Sequence, residues 1–139
     1  MAKIRKHVTR SLVTLDAGTT AKDAATIMSQ RNIGSVAVKE GDRITGLVTE
    51  RDLVATVLAD GNDGGKPIGK AMRAGLPRVH ADAQETDAAD LMRDHYTRHL
   101  LVEDKGQVIG VVSMRDIIQL MLDEKQFLIS QLNTYIFGR

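Results

Sequence analysis

The sequence predicts an α/β (α+β) fold: two tandem β-α-β-β-α units followed by a C-terminal helix. Three observations carry that expectation. Residues 4–58 return as residues 68–122 at a constant offset of 64, with 14 identities in 55 aligned positions, where ordinary composition would give about 3. Within each copy the hydrophobic period changes between strand-like and helix-like in the same order. Apolar residues make up 42% of the 139, yet Phe and Tyr number two each and Trp is absent. The core must then come from Val, Ile, Leu, Ala and Met. Because about 55 residues is near the lower limit for folding alone, the two copies are expected to share one core.

The elements follow in chain order. Val13-Thr14-Leu15 is a short extended piece. Thr20 offers a hydroxyl to cap a helix with Ala21, Ala24, Ala25, Ile27 and Met28 at helical spacing. Val36-Ala37-Val38 reads as a strand, Glu40-Gly41-Asp42 as a turn and Ile44 to Val48 as a second strand. Asp52 to Leu58 closes the unit as a helix. The second copy repeats the order with Val79, Asp87 to Tyr96, Leu100-Leu101-Val102, Lys105-Gly106, Val108 to Val112 and Ile117 to Leu122. Residues 59–67 form the linker, where the glycines of Asp60-Gly61-Asn62-Asp63-Gly64-Gly65 loosen the chain and Pro67 interrupts helix. Residues 123–139 continue at helical spacing through Phe127, Leu128, Leu132, Tyr135 and Ile136, a stripe that has to be buried on this module or on a second subunit.

Nineteen basic residues stand against eighteen acidic ones, a balance that argues against a surface built for polyanions. The scarcity of aromatic side chains argues against base-stacking platforms for single strands. Lys3, Arg5, Lys6, His7 and Arg10 make the start basic, a pattern read as a solvated arm. No cysteine is present, which excludes disulfides and thiolate chemistry. With no signal-peptide pattern and no long apolar run, the expectation is a soluble cytoplasmic protein.

The chemistry-bearing motif closes each unit. Gly46-Leu47-Val48-Thr49-Glu50-Arg51-Asp52 returns as Gly110-Val111-Val112-Ser113-Met114-Arg115-Asp116. A hydroxyl at a strand-to-helix junction with a carboxylate three residues later caps the helix. The same geometry also suits a nucleotide, because a carboxylate there can accept from both ribose hydroxyls, and a helix N-terminus with an arginine favours phosphate. A cap alone has no use for Arg51 and Arg115 recurring at one step, which favours the ligand reading.

Two β-α-β-β-α units, each ending in Gly, apolar, apolar, Ser/Thr, x, x, Asp, resemble the cystathionine-β-synthase (CBS) domain pair, or Bateman module, of the small stand-alone bacterial type. The resemblance covers residues 4–122 and implies two clefts for adenosine-containing molecules such as AMP, ADP, ATP or NAD, acting as regulatory ligands and not as catalytic cofactors. It makes Asp116 a ribose ligand with Ser113 beside it, and gives the opposite wall to Ile33, Gly34 and Thr19. By symmetry Asp52 and Thr49 mark the other cleft, walled by Thr97 and Arg98. Ala37 and Leu101 replace a proline often found in the family. Gly34-Ser35 matches Arg98-His99, so the clefts are not chemically equal. The resemblance also implies a homodimer formed through exposed helices, with Leu53, Val57, Ile117 and Met121 on the outer face and Phe127, Leu132 and Ile136 adding to the contact. A protein effector of unknown identity would receive the signal.

Other constellations are weaker. His95 and His99 have the spacing of a helical metal pair but span a helix end and a strand start, so no metal site is expected. No nucleophile elbow is present, and Gly61 to Gly65 lacks the lysine ending of a phosphate loop. The sequence reads as a regulatory sensor and not an enzyme. A nucleic-acid-binding regulator and a nucleotide-processing enzyme are the alternatives.

Overall fold

The computed structural model describes residues 3–9, 12–59, 61 and 64–138. Arg10 of the basic arm, Asp60, Asn62 and Asp63 of the linker, and Arg139 lie outside the described residues. The chain divides into two compact units. The first-repeat unit contains the described residues from 12 to 78, and the second-repeat unit contains those from 3 to 9 and from 79 to 138.

In the first-repeat unit, β1 (Thr14–Asp16) leads to α1 (Ala21–Arg31), β2 (Ser35–Glu40) and β3 (Arg43–Thr49). α2 (Glu50–Leu53) follows and widens into a π-helical turn at Val54–Ala59, and α3 (Ile68–Ala71) completes the unit. β2 lies in the middle, parallel to β1 and antiparallel to β3. Thr20 caps α1 as expected, its Oγ1 accepting from the Asp23 amide at 3.2 Å. Asn32 ends the helix at φ 53°, a left-handed conformation that asparagine tolerates.

The second-repeat unit repeats the plan with β4 (Val79–His80), α4 (Glu85–Asp94), β5 (His99–Asp104) and β6 (Gln107–Ser113). Its sheet has the same order and sense. Here the closing helix and the C-terminal helix are one element, α5 (Met114–Phe137), 24 residues long.

Two cores form, and not the shared one expected. Each is completed by the leading segment of the other repeat. Ile4, fully buried, packs with Val79, Met92, Leu100 and Val112, while Ile68, equally buried, packs with Met28, Val36 and Val48. The same hydrogen bond seats both: Ile4 N–H donates to Ala83 C=O at 3.0 Å and Ile68 N–H to Thr19 C=O at 2.8 Å. This exchange answers the size problem. A body of some 55 residues gains a buried isoleucine that its own copy does not supply, a contribution of about 1.5–3 kcal/mol.

The basic arm is also docked. Arg5 donates to Asp104 Oδ2 at 2.9 Å and to Asp82 Oδ1 at 3.1 Å, which raises the Arg5 pKa, through Asp104 first and Asp82 second, and holds Asp104 below its ordinary value. Thr9 and Val111 then exchange backbone hydrogen bonds of 2.9 and 3.2 Å.

Candidate functional site

The motif glycine explains itself first. A Cβ on Gly110 would collide with the Thr9 carbonyl oxygen and with Val8, and one on Gly46 would strike the Met72 side chain. The requirement is steric: the leading segment of the other repeat crosses the strand at that point.

At the end of β3 the chain turns into α2 through a reciprocal cap. Asp52 Oδ2 accepts from the Thr49 amide at 2.9 Å and from the Thr49 hydroxyl at 3.1 Å, while the Asp52 amide donates to Thr49 Oγ1 at 3.3 Å. The second copy repeats it at 2.8, 2.9 and 3.1 Å between Ser113 and Asp116. The capping reading is thus realised twice. It occupies only one oxygen of each carboxylate: among the described residues Oδ1 of Asp52 and of Asp116 accepts no hydrogen bond. The cap fixes the carboxylate and leaves its second oxygen for another donor.

A second tie brings the strand entrance to the same place. Glu50 N–H donates to Gly34 C=O at 3.0 Å, and Met114 N–H to Arg98 C=O at 2.8 Å. The pairs Ser35 with Thr49 and His99 with Ser113 lie in register beside them. The first-repeat unit therefore gathers Ile33, Gly34, Thr49, Arg51 and Asp52 at one end of its sheet. The second-repeat unit gathers Thr97, Arg98, Ser113, Arg115 and Asp116. Arg51, Arg98 and Arg115 are exposed, and Thr49 is buried. Thr97 is buried with its hydroxyl donating to His99 C=O at 3.0 Å, so that hydroxyl holds the loop.

Thr19 is not brought to this cluster. It follows β1, whose Asp16 pairs with Lys39 in parallel register, so it stands about 13 Å along the sheet from Ser35. The signal was available in the sequence, because the helix of a β-α-β unit starts and ends at opposite sheet ends. What sequence reasoning missed is the structural task of its carbonyl, the seat of Ile68.

The outer helix faces also differ from expectation. Leu53 and Ile117 belong to the cores and Val57 is half-buried, while the residues that face outward are Val54, Leu58, Ile118, Met121 and Leu122. Leu53, Val57 and Ile117 were each read one residue early, and Met121 faces outward as expected. A groove of about 540 Å³ runs between α1 and the π-helical turn after α2, lined by Ala25, Val54 and Leu58 among others and touching none of the motif residues. His95 Nδ1 donates to Leu91 C=O at 3.0 Å as α4 ends, and His99 opens β5. No group of three metal-ligating side chains occurs among the described residues. No helix among them is long and apolar enough to cross a membrane.

The duplicated cap at the end of an exchanged β-α-β-β-α body coincides with two matches to the CBS domain, at residues 4–59 and 66–123. The chain belongs to the CBS domain family. Its two units are a tandem CBS pair. The CBS domain-containing protein YhcV of Bacillus subtilis is 29% identical over 117 residues, 84% of each chain. A protein with CBS domains from Burkholderia ambifaria is 30% identical, with a TM-score of 0.77 over 82% of this chain and 85% of that one. A CBS domain protein from Pyrobaculum aerophilum, solved in complex with AMP, is 27% identical, with a TM-score of 0.73 over 83% and 89%. CBS pairs of this kind are regulatory ligand-binding modules.

Proposed function

We propose that this CBS pair senses an adenosine-containing ligand, AMP, ADP, ATP or NAD, and passes its occupancy to a protein effector. The single observation that carries the reading is the repeated carboxylate, locked by its own cap with Oδ1 left over. A preorganised acceptor of that kind suits the ribose hydroxyls, because no ordering cost remains when the ligand arrives. The exposed guanidinium groups of Arg51 and Arg115, one residue before each carboxylate, suit phosphate. Ile33, Gly34, Thr97 and Arg98 are the wall residues of this reading, assigned to the two carboxylates as the resemblance implies. The AMP complex of the Pyrobaculum aerophilum relative supports the ligand class.

The chain acts in this reading as a homodimer whose arrangement depends on the ligand, and it works by binding and not by turnover. It is tested by recovering the protein without added nucleotide, denaturing it and identifying the released small molecule by mass spectrometry. An adenosine compound released in stoichiometric amount is expected. Protein that carries none, and binds none of the four when titrated, contradicts the reading.

A further inference from the structure

The second half of α5 poses a problem that its own unit does not solve. Ile117 and Leu120 seal the core, but every described residue from 125 onward is exposed. About thirteen residues of helix projecting into water are marginal on their own, and these are rich in Leu, Ile and Phe. Ten large apolar side chains of α5 are exposed. At roughly half of a 150–250 Å² side chain each, they leave about 1,000 Å² in water, comparable with what one partner gives to a standard interface.

The spacing of eight of them, all but Phe127 and Phe137, says what covers them. Ile118, Lys125 and Leu132 recur every seven residues, as do Met121, Leu128 and Tyr135 one step round the helix. That is the two-position seam of a helix that pairs with another helix. A third row, Leu122, Ile129 and Ile136, flanks the seam on one side, and Glu124 and Gln131 flank it on the other.

The flanks also fix the direction. Two parallel copies would place Ile129 against Glu124 of the second copy, and Lys125 against Lys125 in one layer. Two antiparallel copies instead bring the apolar flanks together, Leu122 against Ile129, and the polar flanks together, while Lys125 meets Leu128. We propose that α5 pairs antiparallel with α5 of a second copy, about a two-fold axis between Gln126 and Phe127. Such a contact is isologous and closes at two chains. It supplies the contact for the dimer in the functional reading above, and it does not depend on the ligand.

The chain lacks cysteine, so introduced thiols report the register, given that a disulfide needs Cβ atoms about 3.5–4.5 Å apart. Full-length Lys125→Cys and Leu128→Cys chains, mixed and oxidised, are expected to give the mixed cross-linked dimer, with Lys125→Cys alone giving none. Cross-linking of Lys125→Cys alone overturns the antiparallel pairing. Light scattering on Leu128→Glu/Leu132→Glu, with circular dichroism to confirm the folded units, is expected to show a monomer. A dimer that survives the double substitution overturns the seam and leaves a dimer by another face. A wild-type monomer at micromolar concentration overturns the seam and the dimer together, and a monomer that partitions onto anionic vesicles assigns the stripe to a lipid surface instead.

Discussion

Ala21 and Glu85 hold the same place in the two units. Each is the first residue of the helix between the first two strands of its sheet and each is buried, yet one is a methyl group and the other a carboxylic acid whose Oε2 has no hydrogen-bond partner among the described residues. The units differ in two further respects. The leading segment of the second-repeat unit is tied by Arg5 to two aspartates, whereas its counterpart is seated by Gly69, which packs tightly on Ala17. The closing helix of one unit gives way to a π turn, with Thr56 buried where the other buries Leu120, and the other runs on through α5. Duplication preserved the frame and the caps, and the two copies diverged in how each is fastened. One pair of otherwise equal positions therefore serves as an internal control for the other.

The largest contrast is expected at the motif glycines. Gly110→Ala drives a methyl group into the backbone oxygen of Thr9, and Gly46→Ala meets only the flexible end of Met72. Urea unfolding should show about 2–3 kcal/mol lost at Gly110 and less than about 1 kcal/mol at Gly46. Equal losses would mean that the two crossing segments are held alike.

Glu85 sharpens the comparison through pH. Burial, and then its hydrogen bond to Glu124, raise its pKa from the ordinary 4.5. A carboxyl raised in the folded state binds its proton more tightly there than in the unfolded chain. Its contribution is therefore complete below about pH 4.5 and is lost as pH rises through the folded value. Glu85→Ala, which installs the residue the other unit uses, should remove that decline from the plot of stability against pH. An unchanged pH profile would place Glu85 in water.

A smaller effect separates the wall residues. Arg98→Ala should weaken AMP by about tenfold, the value of one charge-assisted contact, and leave adenosine nearly unchanged, because guanidinium acts on phosphate. Equal weakening of both ligands would make Arg98 structural.

The order of elements was legible because alternation, helical spacing and turn residues such as Gly41 and Gly106 are local signals. The caps were legible as well, since Thr49 to Asp52 is a three-residue pattern. The exchange of Ile4 and Ile68 was not, because aligning two repeats reveals their kinship and not which body each segment covers. Helix facing failed for a related reason. Leu53-Val54 and Ile117-Ile118 are adjacent apolar pairs, and a rotation of 100° decides which member is inside. Of the candidate site, the hydroxyl and carboxylate that form each cap could be read directly. The position of Thr19 needed the sheet register.

In the proposed function, a carboxylate already fixed by its own cap holds a ribose. Calorimetric titration of AMP into the wild-type chain and into Asp116→Ala measures it most directly, provided that the variant, which loses about 1 kcal/mol of capping stability, is kept well below its unfolding temperature. The Asp52 cleft is blocked by substitution in both proteins. A loss of about 2–4 kcal/mol in binding free energy is expected, from removing a charged acceptor at a partly desolvated site. Unchanged affinity in a folded variant would contradict the account and leave Asp116 a helix cap alone.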